Sequence, residues 1–319
     1  MATLAAAIPH VDLNPSMGAT FVGLIVATTL YGITLVQTGY YFVTFRKDDA
    51  VLKWTVGVLT LLDTVALIIN CHGFYWYTIS NWGNPLVLNI VIWSFTANVF
   101  FTNTIAIIVQ LYLIRRVYIL SQKNWWICAF LLIIPARLTA TGFAYGIRLA
   151  QLGLNSLIPK ILFLIRTSLA STLVVDVLIT IALCFYLHRS RTGMSSTDTL
   201  INTLIVYTVN TGLLTTLVAF FDVVLHTALD GTLAYYCFYV MLTKLYTNSF
   251  LGTLNARRVL RGKAGDVVTT GPSSGPSSMG GTTARHTHES MEISTLPPME
   301  FHKGKMSTRG GDDDDEYYV

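Results

Sequence analysis

The chain has 319 residues, of which 53% are hydrophobic and only 12% are charged. Soluble domains carry about 25% charged residues, so this chain lacks the polar surface that a water-soluble protein needs. The net charge of +4 comes from Lys and Arg in short segments between apolar runs, a distribution that argues against nucleic-acid binding. Composition therefore predicts an integral membrane protein with the lipid bilayer as its main partner.

Seven mainly apolar runs follow one another along the chain, and each has the roughly 18 or more residues that a bilayer-spanning helix needs. In chain order they cover residues 17–45, 52–74, 86–114, 125–147, 161–187, 200–226 and 233–254. They lack the alternation of a β-barrel wall. The predicted fold is an all-α bundle of seven transmembrane helices.

The ends of the chain differ from this bundle in composition. Residues 1–16 contain no Lys or Arg and predict a short extracellular segment rather than a signal peptide. Residues 262–319 are rich in Gly, Pro, Ser and Asp, and such a segment has too little apolar content to offset the entropy of ordering. The predicted domains are therefore residues 1–16, a transmembrane domain over 17–261, and a disordered tail over 262–319.

Loop charge predicts the orientation of the bundle. Twelve Lys and Arg lie after the first, third and fifth helices and at the start of the tail: Arg46, Lys47, Lys53, Arg115, Arg116, Lys123, Arg189, Arg191, Arg257, Arg258, Arg261 and Lys263. Only Arg148 and Lys160 lie on the other side. Because basic loops stay in the cytoplasm, we expect the N-terminus outside and the tail inside. We also expect the protein in the plasma membrane rather than in an internal membrane.

Six ionisable residues interrupt the apolar runs, and each needs a physical reason because a charge inside the bilayer is unfavourable. Four are expected near the midplane and two about five residues from the outer helix ends. If the helices follow one another around a ring, oppositely charged residues on neighbouring helices form three pairs: Asp63 with Lys244, Arg137 with Asp176, and Arg166 with Asp222.

Two interpretations of these residues remain open. Buried ion pairs often fix helix register without any further activity, whereas a polar ligand pocket or ion pathway would use the same side chains. Asn103 on the third helix and Asn248 on the seventh lie on polar stripes and belong to the same candidate set. Polar stripes either bond across helices or line a water-filled cavity.

Lys244 in the middle of the seventh helix raises a specific alternative, because microbial rhodopsins attach retinal to such a lysine near an acidic counterion. The third helix has no acidic residue, which argues against a pigment, so we expect no cofactor. The four cysteines occur singly, and no phosphate-binding, metalloprotease or nucleophile-elbow motif is present. We therefore expect neither a metal site nor an enzyme.

Several stretches resemble a seven-helix membrane family that is common in mushroom-forming fungi and whose shared region is a domain of unknown function. They are Ser190–Gly193, Tyr207–Thr215, Lys244–Leu251, Leu62–Thr64, Asn81–Pro85 and Ile92–Phe95. The resemblance spans roughly residues 17–262. It implies multi-pass topology and residence in a fungal membrane, and it assigns no ligand, activity or catalytic residue.

Three hypotheses of function follow. The leading one is a receptor-like sensor with a polar intramembrane pocket and a cytoplasmic effector, which would contact the inner-face candidates Arg189, Arg191, Asp198, Arg257 and Arg258. The second is a transporter of a small solute or ion that uses the midplane charges. The third is a structural membrane protein without a ligand. A polar path from both faces would favour transport, and a one-sided outer cavity would favour a receptor.

Overall fold

The structure is a computed structural model. It describes residues 14–82, 84, 87, 90–152, 162–191, 195–229 and 232–269. The side chains of residues 14, 15, 134, 138, 152, 162, 195–200 and 259–269 are outside the described part. Most of the predicted extracellular segment and residues 270–319 of the predicted tail therefore lie outside the described residues.

The described chain is all-α. Its α-helices are α1 (Ala19–Thr44), α2 (Ala50–Tyr75), α3 (Trp93–Leu120), α4 (Trp125–Leu152), α5 (Leu162–Arg189), α6 (Ser195–Ala228) and α7 (Tyr236–Thr269). Short π-helical turns at Asn14–Gly18 and Trp76–Ser80 precede α1 and follow α2. Successive helices run antiparallel; for example, Asn70 late in α2 donates to Asn98 early in α3. Therefore α1, α3, α5 and α7 begin at what we call the amino-terminal end of the bundle and finish at its carboxy-terminal end.

Six of these helices, α1 to α6, are long and apolar enough to cross a membrane by length and composition. Their outward surfaces carry large exposed apolar side chains, for example Val36, Leu61, Phe163 and Leu213. Such a surface is unfavourable in water and suited to lipid, because lipid tails solvate apolar side chains. The chain is a multi-pass integral membrane protein.

The helices form a ring in chain order. Each packs against the next, and α7 packs extensively against both α6 and α1. α3 lies toward the middle, where it also contacts α5 and α7. The neighbour relations that the sequence analysis assumed, including the contact of α7 with α2, are therefore confirmed for the described helices.

Two boundaries differ most from the predicted ones. The third apolar run was expected to become helical at residue 86, but α3 begins only at Trp93; just before it, the carbonyl of Ile90 accepts a hydrogen bond from the Tyr77 hydroxyl. α7 continues to Thr269, beyond the predicted boundary at residue 261. The first proline after Lys244 is Pro272, so no residue before it forbids further helical turns.

Close approach of the helices depends on small residues. A Cβ added to Gly23 in α1 would lie 2.6 Å from the Cα of Cys237 in α7, so only glycine permits this contact. On the other side of the bundle, a Cβ at Gly212 in α6 would collide with the Thr180 side chain of α5. Small residues at helix interfaces are the usual means of tight packing in membranes, because backbones can then approach closely.

Candidate functional site

Asp63 and Lys244 form the ion pair that the sequence analysis predicts. The Lys244 Nζ atom lies 2.7 Å from Asp63 Oδ1 and donates a second hydrogen bond of 2.6 Å to the Asp63 main-chain oxygen. Both side chains have 0% exposure. The pair joins the middle of α2 to the third turn of α7, and each charge is neutralised where no water can solvate it.

Residues of α1 make hydrogen bonds around this ion pair. The Thr34 hydroxyl is 3.4 Å from Asp63 Oδ2 and 3.1 Å from Asn248 Oδ1. The Asn248 amide donates to the Leu30 carbonyl at 2.9 Å, and the Tyr31 ring lies 5.4 Å from Lys244 Nζ. Neither of the two cavities described below is lined by Lys244. We call this region, formed by α1, α2 and α7, the paired side of the bundle.

The predicted pair of Arg137 and Asp176 is wrong. The Arg137 side chain is exposed on the outside of α4, whereas Asp176 in α5 is 7% exposed and faces the interior. Asp176 Oδ2 accepts a hydrogen bond from the Tyr246 hydroxyl, and Oδ1 accepts one from Gln110 Nε2 at 3.3 Å. The two residues lie on different faces of their helices, a rotation that a count of depth along the helix does not specify.

The predicted pair of Arg166 and Asp222 is also wrong. Asp222 in α6 has 0% exposure, and neither carboxylate oxygen accepts a hydrogen bond in the described structure. Arg166 therefore donates no hydrogen bond to Asp222. An isolated buried carboxylate is strongly unfavourable when ionised, so Asp222 is the most unusual acidic residue of the described bundle.

A polar cavity surrounds Asp176 between α3, α5, α6 and α7, with a volume of about 40 Å³. We call it the Asp176 cavity. Its polar lining residues are Gln110, Asp176, Thr180, Thr208, Thr211, Thr215, Tyr246, Ser249 and Thr253. The Gln110 Oε1 atom is buried without a hydrogen-bond partner. The cavity extends from mid-bundle toward the carboxy-terminal end, because Leu183 lies in the later turns of α5 and Thr208 in the earlier half of α6.

A second cavity, the Asp222 cavity, has a volume of about 30 Å³. It extends toward the amino-terminal end, and its polar lining residues are Thr102, Asn103, Tyr145, Ser168, Thr172, Asp222, Tyr239 and Tyr246. Tyr246 lines both cavities. The two cavities and the residues around them form the cavity side of the bundle, in which two acidic side chains lie on either side of one tyrosine.

A third polar network lies near the amino-terminal end, and its three side chains bond to one another in a closed triangle. Asn70 donates to Asn98 at 3.1 Å, Asn98 donates to the Tyr236 hydroxyl at 3.2 Å, and this hydroxyl donates to Asn70 at 2.7 Å. The triangle joins α2, α3 and α7. Its members satisfy one another, as buried polar side chains in a membrane bundle require.

The inner-face candidates have different environments in the structure. Arg257 bridges to Asp48 in the α1–α2 connection and stacks on the Phe45 ring at 4.5 Å, which fastens the end of α7 to α1. Arg258 is exposed and 3.4 Å from the Tyr40 hydroxyl.

The other inner-face candidates lie around the α5–α6 connection. Arg189 and Arg191 are exposed, and Arg191 donates to Asn202. Asp198 is in the first turns of α6, with its side chain outside the described part. Of the inner-face candidates, Arg257 therefore forms a salt bridge with Asp48. Three others are exposed basic residues: Arg189, Arg191 and Arg258.

Among the described residues, no group of three His, Cys, Asp or Glu side chains is placed to hold a metal ion. The four cysteines are free thiols. The oxygen-rich donors of the Asp222 cavity are of a different kind, since hydroxyl and carboxylate oxygens are ligands for hard cations rather than for zinc.

Sequence reasoning missed the residues that connect the acidic groups. Tyr246 follows Lys244 by two positions in an apolar run, and nothing in its spacing distinguishes it from a core aromatic. Tyr145 and Tyr239, which line the Asp222 cavity, were missed for the same reason. Gln110 follows Asn103 by seven residues, a spacing that places both on one face of the third helix and is the one usable signal in the sequence.

Residues 172–259 match a protein family described as "Family of unknown function (DUF6534)". The matched segment begins inside α5 and ends inside α7, so it contains Asp176, Asp222, Lys244 and Tyr246. No curated protein matches the chain. No solved structure matches it either.

Proposed function

We propose that this protein moves a small monovalent cation across the membrane through the cavity side of its helix bundle. The observation that carries the proposal is the arrangement of Asp176 and Asp222, which face two polar cavities separated by the shared residue Tyr246. Acidic side chains buried in membrane helices generally mark ion pathways and proton relays, because their desolvation is unfavourable and is tolerated where it serves a function.

The size of the cavities supports a cation rather than an organic ligand. Their volumes are about 40 and 30 Å³, and one water molecule needs about 10–15 Å³ measured in the same way. Each cavity thus holds a few waters, or a bare cation with a water. Sites for organic ligands usually occupy about 300–1,000 Å³, which is why we place the receptor hypothesis second to transport.

Tyr246 is the proposed gate of this pathway. Its hydroxyl donates to Asp176 on one side, while its side chain also borders the Asp222 cavity. Rotation of this one side chain would join the two cavities. Tyr246 is buried, so its rotation requires small movements of the side chains packed around it but no rearrangement of whole helices.

Transport requires that α7 also crosses the membrane, which we include in the proposal. α7 contains Lys244 and the basic residues Arg257 and Arg258. Lys244 is neutralised by Asp63, and the two arginines lie toward the end of the helix, where basic side chains reach the interface. We further propose seven spans, an extracellular N-terminus and a non-enzymatic role; the cytoplasmic effector, the plasma membrane and the wider fungal family remain predictions.

The experiment is cation uptake into proteoliposomes that contain the purified full chain. Inward gradients of Na⁺ and of H⁺ are tested separately, with radioactive sodium and a pH-sensitive dye as readouts. We expect uptake of at least one cation above that of protein-free liposomes. We also expect Asp176→Asn and Tyr246→Phe to change its rate strongly, because the first removes a charge from the path and the second removes the hydroxyl of the gate.

Tyr236→Phe is the matched control. It removes the same atom from the same helix, but its hydroxyl belongs to the triangle with Asn70 and Asn98 and lines neither of the two cavities. Its uptake should equal that of the unchanged protein once both are compared as folded material. Uptake of neither cation by the unchanged protein contradicts the proposal, as does equal loss in Tyr236→Phe and Tyr246→Phe.

A further inference from the structure

Asp222 presents a buried carboxyl group to which no described residue donates a hydrogen bond. It has 0% exposure, and both carboxylate oxygens lack a hydrogen-bond partner while the side chain lines the Asp222 cavity. Asp176 differs, because Tyr246 and Gln110 donate to it. Asp63 differs too, because Lys244 pairs with it. Of these three buried carboxylates, only Asp222 faces its cavity with all of its acceptor capacity unused.

The groups around Asp222 supply oxygen atoms and no described positive charge. The Thr172 hydroxyl donates to the Ser168 carbonyl at 3.1 Å, and the Thr102 hydroxyl donates to the Asn98 carbonyl at 2.8 Å. A hydroxyl whose hydrogen is used in this way has its lone pairs free for another ligand. Further oxygens come from the phenols Tyr145 and Tyr239, which line the same cavity.

The charge of one carboxylate and the volume of the Asp222 cavity determine which ligand fits. One carboxylate balances one positive charge, whereas a divalent ion would leave an uncompensated charge in an apolar bundle. Carboxylate, hydroxyl and carbonyl oxygens are the donors that hard metal cations prefer. A volume of about 30 Å³ admits a bare alkali cation with a water and excludes an organic ammonium of larger size.

We infer that the Asp222 cavity is a binding site for a monovalent alkali cation of the size of Na⁺, held by Asp222 with the Thr172 and Thr102 hydroxyls. The inference rests on the proposed function in that it names the transported cation and its first binding position. It is nevertheless tested by binding alone, without any measurement of transport.

The experiment compares the thermal unfolding of the purified full chain in detergent with NaCl, KCl or choline chloride at equal ionic strength. A ligand that binds only the folded protein raises its stability with ligand concentration. We expect the melting temperature to rise with Na⁺ in a saturable manner, less with K⁺, and not with choline. Binding of radioactive sodium to the same sample should saturate over the same concentration range.

Two variants localise the site. Asp222→Asn keeps the side-chain shape and removes the charge, so the sodium-dependent rise in melting temperature should be lost. Thr172→Val removes one proposed ligand and should weaken sodium affinity about tenfold, the effect of 1.4 kcal/mol. Its matched control is Thr28→Val, because the Thr28 hydroxyl makes the same hydrogen bond, to Leu24 at 2.7 Å, on an exposed face of α1.

The outcomes separate this inference from the proposed function. A sodium-dependent rise that persists in Asp222→Asn, or an equal response to Na⁺ and choline in the unchanged protein, overturns the site. If Asp222→Asn does not fold, equal sodium affinity in Thr172→Val and Thr28→Val overturns it instead. Sodium binding without uptake of any cation retains the site and removes the transport proposal, whereas proton uptake without sodium binding does the reverse.

Discussion

Asp63 and Asp222 are both fully buried acidic residues of the same helix bundle, but Asp63 has a charged partner and Asp222 has no hydrogen-bond partner among the described residues. On the paired side, Asp63 meets Lys244 at 2.7 Å and is closed in by Thr34. On the cavity side, Asp222 accepts no hydrogen bond from the described residues and faces a cavity. Burial alone therefore does not determine the environment of an acidic side chain; under the proposed function, the residue without a partner is the functional one.

The largest expected effect comes from breaking the paired side. Asp63→Ala leaves Lys244 without its counter-charge, and loss of one partner of a buried pair lowers the free energy of unfolding by about 3–5 kcal/mol. An unfolding titration in detergent measures this loss. The double variant Asp63→Ala with Lys244→Met should recover much of it, because no lone charge then remains. A wild-type midpoint in Asp63→Ala would show that the pair does not hold α2 to α7.

The next effect tests how tightly the paired side is packed. Gly23→Ala places a methyl group 2.6 Å from the Cys237 Cα atom and must push α1 away from α7. Overpacking of this kind destabilises by about 1–3 kcal/mol. Gly32→Ala is the control on the same helix, because no atom lies within 4 Å of its added Cβ. Equal melting temperatures of the two variants would contradict the close contact.

The cavity side should respond with the opposite sign to removal of an acid. In sodium-free buffer, Asp222→Asn removes the cost of transferring a carboxylate from water into an apolar site without a partner, so it should raise the free energy of unfolding by about 1 kcal/mol. The comparison variant is Asp63→Asn, which should destabilise. The same unfolding titration measures both, and a loss of stability in Asp222→Asn would mean that Asp222 contributes to the fold as Asp63 does.

The smallest effect concerns the residue between the two cavities. Tyr246→Phe loses the hydrogen bond to Asp176, and hydrogen bonds between membrane helices contribute about 0.6 kcal/mol on average. We therefore expect a small fall in melting temperature together with a large change in uptake. A large fall in stability would identify Tyr246 as a structural residue, and the comparison of the two sides would lose its functional meaning.

Sequence reasoning succeeded where a local property was sufficient. The helices follow from apolar runs, and the Asp63–Lys244 pair follows from opposite charges at equal depth on helices that the ring brings together. It failed for Arg137, which has a suitable depth and charge but lies on the exposed face of α4. Depth follows from counting residues, whereas the facing direction depends on how each helix is rotated within the bundle.

The family match covers residues 172–259 and so includes both acids of the cavity side, but it brings no ligand with it. Only the geometry of the cavities therefore points to a cation. Tyr246 illustrates this point, because its role becomes visible only when α3, α5 and α7 bring Gln110, Asp176 and Tyr246 together.

The low content of charged residues and the long apolar runs were sufficient to predict the class of protein, the all-α fold and the candidate residues inside the membrane. Those properties depend on composition and on runs along the chain, which the sequence contains directly. Only the tertiary structure decided which buried charges are neutralised and which face a cavity. Pairing requires two side chains from distant segments to meet within about 4 Å, and that distance is set by the rotation and packing of whole helices.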